Sequence, residues 1–326
     1  MPTRRQFLAS AAGTLALPYL SRTSFAQTYP DRVIKMIAAG SPGGPTDVMA
    51  RLLAQRMQNV IGQGVVVDSR GGGGGTVAAK AVATAEADGY TILFCNTSVM
   101  ATIPSLAKKP EYDPVADFAP VAKVSQSEQV LVVHPDVPAK SLKELVAYMK
   151  ANPGKLNCGA TGFGGLPHMA AEYFKVQAGV NFAVINYKGG GDTLNAVLGH
   201  QVDMTFETTT VVLPHIREGK MRGLAISSEK RHPQAQDIPT FAEAGVPGYT
   251  VLSFNGVAAP AKTPPAIIEK LSAAVTTVLK TPEMRADVAR LGGVLDIGTP
   301  QDFAKFIARE GKRWQDVVEK SHLEKQ

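Results

Sequence analysis

Residues 33–57 read VIKMIAAGSPGGPTDVMARLLAQRM, and the order of events in them decides the fold. Val33 to Ala39 is a short, mostly apolar run of the kind that forms a buried strand. A turn rich in glycine and proline follows, from Gly40 to Pro45. Beyond it Met49, Leu53, Met57 and Val60 recur at helical spacing. Strand, glycine turn and helix in that order make a βα unit. Its turn sits at a helix N-terminus, where an anion is stabilised.

The same alternation runs through the chain. Strands are expected at Val33–Ala38, Val65–Val67, Thr91–Cys95, Val130–Val133, Leu156–Cys158, Ala183–Asn186, Met204–Phe206, Gly223–Ile226 and Val251–Ala258. Helical patterns fall between them. Ser141 with Glu144, and Thr240 with Glu243, are spaced as capping boxes. Thr263-Pro264, Thr281-Pro282 and Thr299-Pro300 each set an N-cap before a proline, which predicts three helices at 264–279, 282–291 and 300–320. Alternating βα units imply mainly parallel sheets flanked by helices. Two stretches where polar or turn residues precede strong strands, Lys123–Gln129 and Pro247–Val251, are the expected boundaries. Two crossings make the second lobe, residues 128–249, an insertion in the first, residues 27–127 plus 250–326.

The first 26 residues read as a leader. Arg4-Arg5 precede a small-residue apolar stretch, Ala9 to Leu20, too short to span a membrane, and Ser24-Phe25-Ala26 is a small-x-small cleavage site. The arginine pair before Phe7-Leu8, with Arg22 near the cleavage site, points to twin-arginine export. No cysteine follows the apolar stretch, so no lipid anchor is expected. Removal of the leader takes away three arginines and no acid, and the formal net charge falls from +6 to +3. That mild charge, with no basic run, argues against a nucleic-acid partner. The two cysteines, Cys95 and Cys158, each end an expected buried strand and read as separate free thiols.

Three glycine loops compete as sites: Gly40–Asp47, Arg70–Thr76 and Gly159–His168. The first is one residue from the G-x-S-x-G elbow of a hydrolase. The elbow needs the N–H after its serine, and the residue after Ser41 is Pro42, which has none. It is no P-loop either, because no Gly-Lys-Ser/Thr follows. Gly73–Ala78 matches G-x-G-x-x-A, but Asp68-Ser69-Arg70 separate it from its strand and the next strand ends at Asn96, so no dinucleotide cofactor is expected. The six histidines, at 134, 168, 200, 215, 232 and 322, are never at ligand spacing, and no metal is expected. Asp47, Asp203 and Glu207 remain as carboxylates that tertiary folding could bring together. What survives is anion binding by backbone N–H groups at Gly43, Gly44, Gly162, Gly164 and Gly165. The anion is held without chemistry.

In order and spacing the motifs resemble one family. They are Pro42-Gly43-Gly44-x-x-Asp47-x-x-Ala50-Arg51, Val66-Val67-Asp68-x-Arg70, Ala87-Asp88-Gly89-Tyr90-Thr91 and Tyr112-Asp113-Pro114-x-x-Asp117-Phe118-x-Pro120. Further on come Gly159-x-x-Gly162-x-Gly164-x-x-x-His168-x-Ala170-Ala171-Glu172, Tyr187-Lys188-Gly189, Gly199-x-Gln201-Val202-Asp203 and Pro239-Thr240-x-x-Glu243-x-Gly245. Across the mature chain this resembles the Bug family, the periplasmic receptors of tripartite tricarboxylate transporters. The resemblance implies a two-lobed, type II periplasmic-binding-protein fold in α/β architecture. It implies a soluble periplasmic monomer that holds a small carboxylate, a dicarboxylate or an aromatic carboxylate, between its lobes. The solute then passes to membrane permease subunits. A sensor presenting ligand to a membrane kinase is the alternative, and a hydrolase a more distant one. Carried over residue by residue, the ligand-binding set is Ser41, Pro42, Gly43, Gly44 and Asp47 in one loop and Thr161, Gly162, Gly164, Gly165 and His168 in the other. Thr97, Ser98 and Asp203 join as further contacts. Phe163 and Leu166 stand where the family often has small or polar residues, which suggests either that both side chains pack internally or that the ligand has an apolar body. On this reading Asp47→Ala weakens binding with little loss of folding.

Overall fold

The computed structural model describes residues 29–187, 190–291 and 293–325, with Thr210 described by its backbone alone. The leader, Lys188 and Gly189 lie outside the described residues. The opening βα unit forms as expected: β1 (Ile34–Ala38) and α1 (Pro45–Ile61), then β2 (Val65–Ser69), α2 (Thr76–Ala83), β3 (Thr91–Asn96) and the short α3 (Ile103–Leu106). A long strand follows, β4 (Phe118–Val133), then α4 (Leu142–Ala151), β5 (Asn157–Thr161), α5 (Leu166–Ala178), β6 (Ala183–Tyr187) and α6 (Gly190–Leu198). Next are β7 (Met204–Thr208), α7 (Thr209–Arg217), β8 (Arg222–Ile226) and β9 (Leu252–Pro260). The tail is α8 (Pro265–Leu279), α9 (Pro282–Arg290), β10 (Val294–Leu295) and α10 (Pro300–Lys320). The Thr-Pro pairs at 281 and 299 do cap helices: Thr281 Oγ1 accepts the N–H of Met284, and Thr299 forms a full capping box with Asp302.

The strands join in the order β2-β1-β3-β9-β4-β7-β5-β6, with β8 and β10 also pairing to β4. The outer ladders, β1 with β2 and β3, and β5 with β6 and β7, are parallel, as continuous apolar runs predict. The strands that join them are antiparallel: β9 runs against both β3 and β4, and β4 against β7 and β8.

Residues 123–129, expected as a boundary loop, lie inside β4. Its residues Phe118–Glu128 pair with β9, and Gln129–Val133 pair with β7 and β8. Some of the polar groups that suggested a loop find partners inside the sheet, while Glu128 Oε2 and Gln129 Oε1 are buried without a hydrogen-bond partner. The buried Lys123 pairs with Asp296 and lies 3.6 Å above the Phe306 ring, and the N–H of Gln129 donates to Ser227 Oγ at 2.8 Å. Two register shifts interrupt the pairing of β4 with β9, and a third, between Leu131 and Val132, its pairing with β8.

Each half has apolar layers on both faces of its sheet. Met36, Leu53, Met57, Leu271 and Val275 pack one face of the first half, and Val82, Leu93, Val99, Phe254 and Phe303 the other. The second half has an aromatic core of Phe174, Phe206, Phe241 and Tyr249, with Val130, Val132, Val197 and Ile238 opposite. Trp314, Val317 and Val318 of α10 insert into that aromatic core, so the C-terminal helix braces both halves. Cys95 and Cys158 are buried free thiols, and burial pushes the Cys95 thiol up to about 12. Among the described residues no helix is long and apolar enough to cross a membrane.

Candidate functional site

Two loops, one after β1 and one after β5, have the same construction. In the first, Gly43 is left-handed (φ 77°), its N–H donates to Asp47 Oδ2 at 2.8 Å, and the N–H of Gly44 donates to Ser41 O at 3.0 Å. In the second, Gly164 is left-handed (φ 76°), its N–H points to His168 Nδ1 at 3.4 Å, and the N–H of Gly165 donates to Gly162 O at 3.2 Å. The next helix begins identically: Val48 donates to Gly44 O, and Met169 to Gly165 O, each at 3.0 Å. Residues 41–48 and 162–169 are therefore one turn built twice, with Asp47 and His168 in the same position. The positive φ requires glycine at 43 and 164. At Gly165 a Cβ would stand 2.4 Å from Thr161 O, so glycine is required there for space.

This construction changes which donors face outward. The N–H groups of Gly43, Gly44, Gly162, Gly164 and Gly165 are engaged within the protein, the Gly162 N–H at 3.0 Å on Tyr187 O. Among the described residues, the N–H groups of Thr46 and Asp47 at the start of α1, and of Phe163, Leu166 and His168 around the start of α5, have no acceptor. Apart from that of Phe163, which precedes the N-cap Gly165, these are the orphan donors of two helix N-termini. The glycines shape the loops, and the following residues present the N–H groups.

Asp47 and His168 are buried fasteners. Asp47 also accepts from Ser69 Oγ and, through both oxygens, from Arg51 (3.0 and 2.9 Å). Burial opposes its ionisation, but the bonds from Arg51, Ser69 and Gly43 outweigh it and hold the carboxyl below its ordinary range. Burial lowers the pKa of His168, and Lys175 adds to this while Glu172 opposes it. A neutral imidazole is what its Nδ1 needs in order to accept from Gly164.

The other expected residues divide. Ser41 and Pro42 are exposed at the loop tip, and Phe163 is 42% exposed, its ring 4.7 Å from that of His168. Leu166 is buried in the aromatic core and offers no surface to a ligand. Thr97 is buried with its hydroxyl accepting the Phe254 N–H at 2.8 Å, and Ser98 begins a π-helical turn, Ser98–Thr102. Thr161 Oγ1 bonds Thr193 Oγ1 at 3.2 Å at the carboxyl end of β5.

Asp203 is a correction. It precedes β7, at the opposite end of that strand from the loops, where its Oδ2 accepts the Asn157 N–H at 2.7 Å and its backbone pairs with His134 and Asn157. The three carboxylates do not converge. Asp47 fastens the first loop, Asp203 lies at the far end of the second half, and Glu207 sits at the carboxyl end of β7. Glu207 Oε2 would stand 3.6 Å, and Thr161 Oγ1 3.8 Å, from a Cβ on Gly190. Burial raises the Glu207 pKa, and the Thr208 N–H and hydroxyl on Oε1 offset it in part.

The two halves meet beside the loops. Thr102 Oγ1 donates to Gly164 O at 2.7 Å, and Leu106 and Ile103 approach the same glycine. On the other side, a Cβ on Gly74 would be 2.5 Å from Ile103 Cδ1, and one on Gly71 would be 2.4 Å from Ser41 Oγ. The five-glycine turn thus touches the first loop, the Ser98–Leu106 segment touches the second, and the two meet at Gly74 and Ile103. Two open surface hollows, around Tyr29, Arg32 and Tyr90 and around Thr276 and Pro300, lie away from this arrangement.

The profile of the TctC family, described as the tripartite tricarboxylate transporter family receptor, matches residues 49–323. The chain belongs to that receptor family. This receptor is 38% identical over 294 residues to Protein BugT of Bordetella pertussis, covering 90% of each chain. It is similar to the solved structure of R. palustris Rpa4515 with adipate (TM-score 0.83, 32% identity, 90% of this chain and 98% of that one). It is also similar to MatC from Rhodopseudomonas palustris with bound malate (TM-score 0.81, 32% identity, 89% and 100%). The receptor thus has the periplasmic-binding-protein fold, and its relatives are binding receptors.

Several of the receptor's site residues carry no sequence signal of their own. Ser69, Asn96 and Thr102 act on the loops from other elements, Asn96 Nδ2 donating to Ala39 O at 2.9 Å and Thr46 Oγ1 at 3.2 Å. Ser69 and Asn96 are the last residues of β2 and β3, each just beyond the end of the strand expected from sequence, and that neighbourhood was the available hint.

Proposed function

We propose that this receptor captures a small carboxylate in the periplasm, between the paired loops, and delivers it unchanged to membrane permease subunits of a tripartite transporter. The observation that carries the reading is the duplicated turn. Each copy ends in a helix N-terminus with unpaired N–H groups and no basic side chain of its own aimed at the ligand, a site that suits a carboxylate. Adipate and malate in the solved relatives support the ligand class. The change of strand partners at Glu128/Gln129 supports division into lobes 27–127 plus 250–326 and 128–249 that close on the ligand as a monomer. Residues 1–26 direct export by the twin-arginine route. Pro42, which lacks an N–H beside Ser41, argues against hydrolysis. Ser41, Pro42 and Phe163 line the ligand, and the half-exposed Phe163 ring favours an apolar body next to the bound carboxylate.

Thermal-shift titration with adipate, malate, benzoate and the matching neutral amides tests the reading. At least one carboxylate should raise Tm progressively, by about 2.7 kcal/mol of stability at a hundredfold excess over Kd. Equal shifts from the amides, or none from any carboxylate, would overturn it.

A further inference from the structure

Three side chains that the cleft does not use meet at the opposite end of the second half. His134 follows β4, Asp136 lies two residues on, and His200 lies between α6 and β7. The two imidazoles are stacked, with ring centroids 4.1 Å apart and planes 15° from parallel. Asp136 Oδ2 stands 3.5 Å from His134 Nδ1 and 3.6 Å from His200 Nδ1. Donor atoms of all three residues lie within 4.8 Å of one another. Ligand atoms on a tetrahedral zinc, with bonds of about 2.0–2.2 Å, stand about 3.4 Å apart. The two measured edges, both to Asp136 Oδ2, match that spacing, and the stacked rings would splay apart for both Nδ1 lone pairs to converge on the ion.

The surroundings also fit. His200 Nε2 faces Asp203 Oδ1 at 3.3 Å, while Asp203 Oδ2 is held by the Asn157 N–H at 2.7 Å. A carboxylate on the far nitrogen of a histidine fixes its tautomer and turns the near nitrogen toward a metal. His200 takes this pose in an unusual backbone. It is left-handed (φ 51°) and closes α6: its N–H donates to Val197 O, and the N–H of Gln201 to Ala196 O. Glycine is the usual residue at that position of such a helix end. A histidine there holds its ring over His134.

We infer that His134, Asp136 and His200 form a binding site for a divalent ion of the zinc type, with Asp203 as the carboxylate that orients His200. The Asp136 N–H now directed at His134 Nδ1 at 3.3 Å would give way to the ion. The fourth position opens to solvent, since Asp136 and His200 are exposed. The ion would tie the end of β4 to the turn before β7, one strand length away from the carboxylate loops. The site is independent of the ligand in the cleft.

Calorimetric titration of the tag-free, full-length chain, first stripped with EDTA, decides this. Residues 1–28 contain no His, Cys, Asp or Glu and add no ligand. Zn²⁺ should bind one to one in the micromolar range or tighter and raise Tm, while Mg²⁺ and Ca²⁺ do neither. His200→Gly gives the left-handed position its favoured residue, so it should fold at least as stably and bind Zn²⁺ at least tenfold more weakly. Asp136→Asn should weaken binding similarly. No saturable one-to-one binding, equal binding of Ca²⁺, or unchanged affinity in both variants would overturn the proposal.

Discussion

Asp47 shows how burial changes the meaning of a residue. A carboxylate in an anion-binding loop repels the anion unless its charge is used elsewhere. Here its oxygens are taken up by Gly43, Ser69 and Arg51. Its bonds order the loop. Asp47→Ala therefore weakens folding as well as binding, in contrast to the expectation from sequence. Loss of the bonds to Gly43 and Ser69 should cost about 2–3 kcal/mol, read as a lower urea midpoint. His168 does the same work with the opposite chemistry. Its pKa is below the ordinary 6.5, so the unfolded chain binds more protons than the folded one as pH falls through that range. Stability should therefore drop as pH falls below about 6.5. His168→Gln, which has no proton to gain, should flatten the stability profile between about pH 7.5 and about pH 5, measured by urea titration.

The elements were legible in the sequence to different degrees. Helices α9 and α10 follow from Thr-Pro starts and local periodicity, because caps and helical contacts involve residues a few positions apart. The parallel strands follow from short apolar runs between turns. β4 did not follow. Its polar middle reads as a boundary, because burial of Lys123 and Gln129 depends on partners in distant elements, Asp296 and Ser227. The glycine loops were visible in the sequence, but not as two copies of one turn. Their sequences, SPGGPTDV and GFGGLPHM, share the two adjacent glycines and little else. The equivalence lies in backbone geometry, with Asp and His in the same role. The outward N–H groups consequently belong to the residues after the glycines.

At the scale of the molecule, the two halves are joined by long antiparallel strands, by α10 and by buried hydrogen bonds, among them Ser227 Oγ to Val251 O and, beside the loops, Thr102 Oγ1 to Gly164 O. That bond sets the second loop against the Ser98–Leu106 segment of the other half. Thr102→Val keeps the volume and removes the donor. It should cost about 1 kcal/mol of stability and weaken carboxylate binding severalfold, checked by urea midpoint and calorimetric Kd. A loss of stability with unchanged Kd would mean that the bond serves folding alone.

The sequence by itself determined the βα alternation, the capped tail helices, the two glycine loops and the receptor family. All of these are written in residues close along the chain. The tertiary structure decided what depends on register and on which strand ends meet. It put Asp203 away from the loops, buried Leu166, and stacked His134 on His200. A β-strand carries neighbouring residues to one end of a sheet or the other, and which distant residue joins them is set by the pairing of β4 with β7. That pairing leaves no mark on the spacing of histidines or carboxylates along the chain.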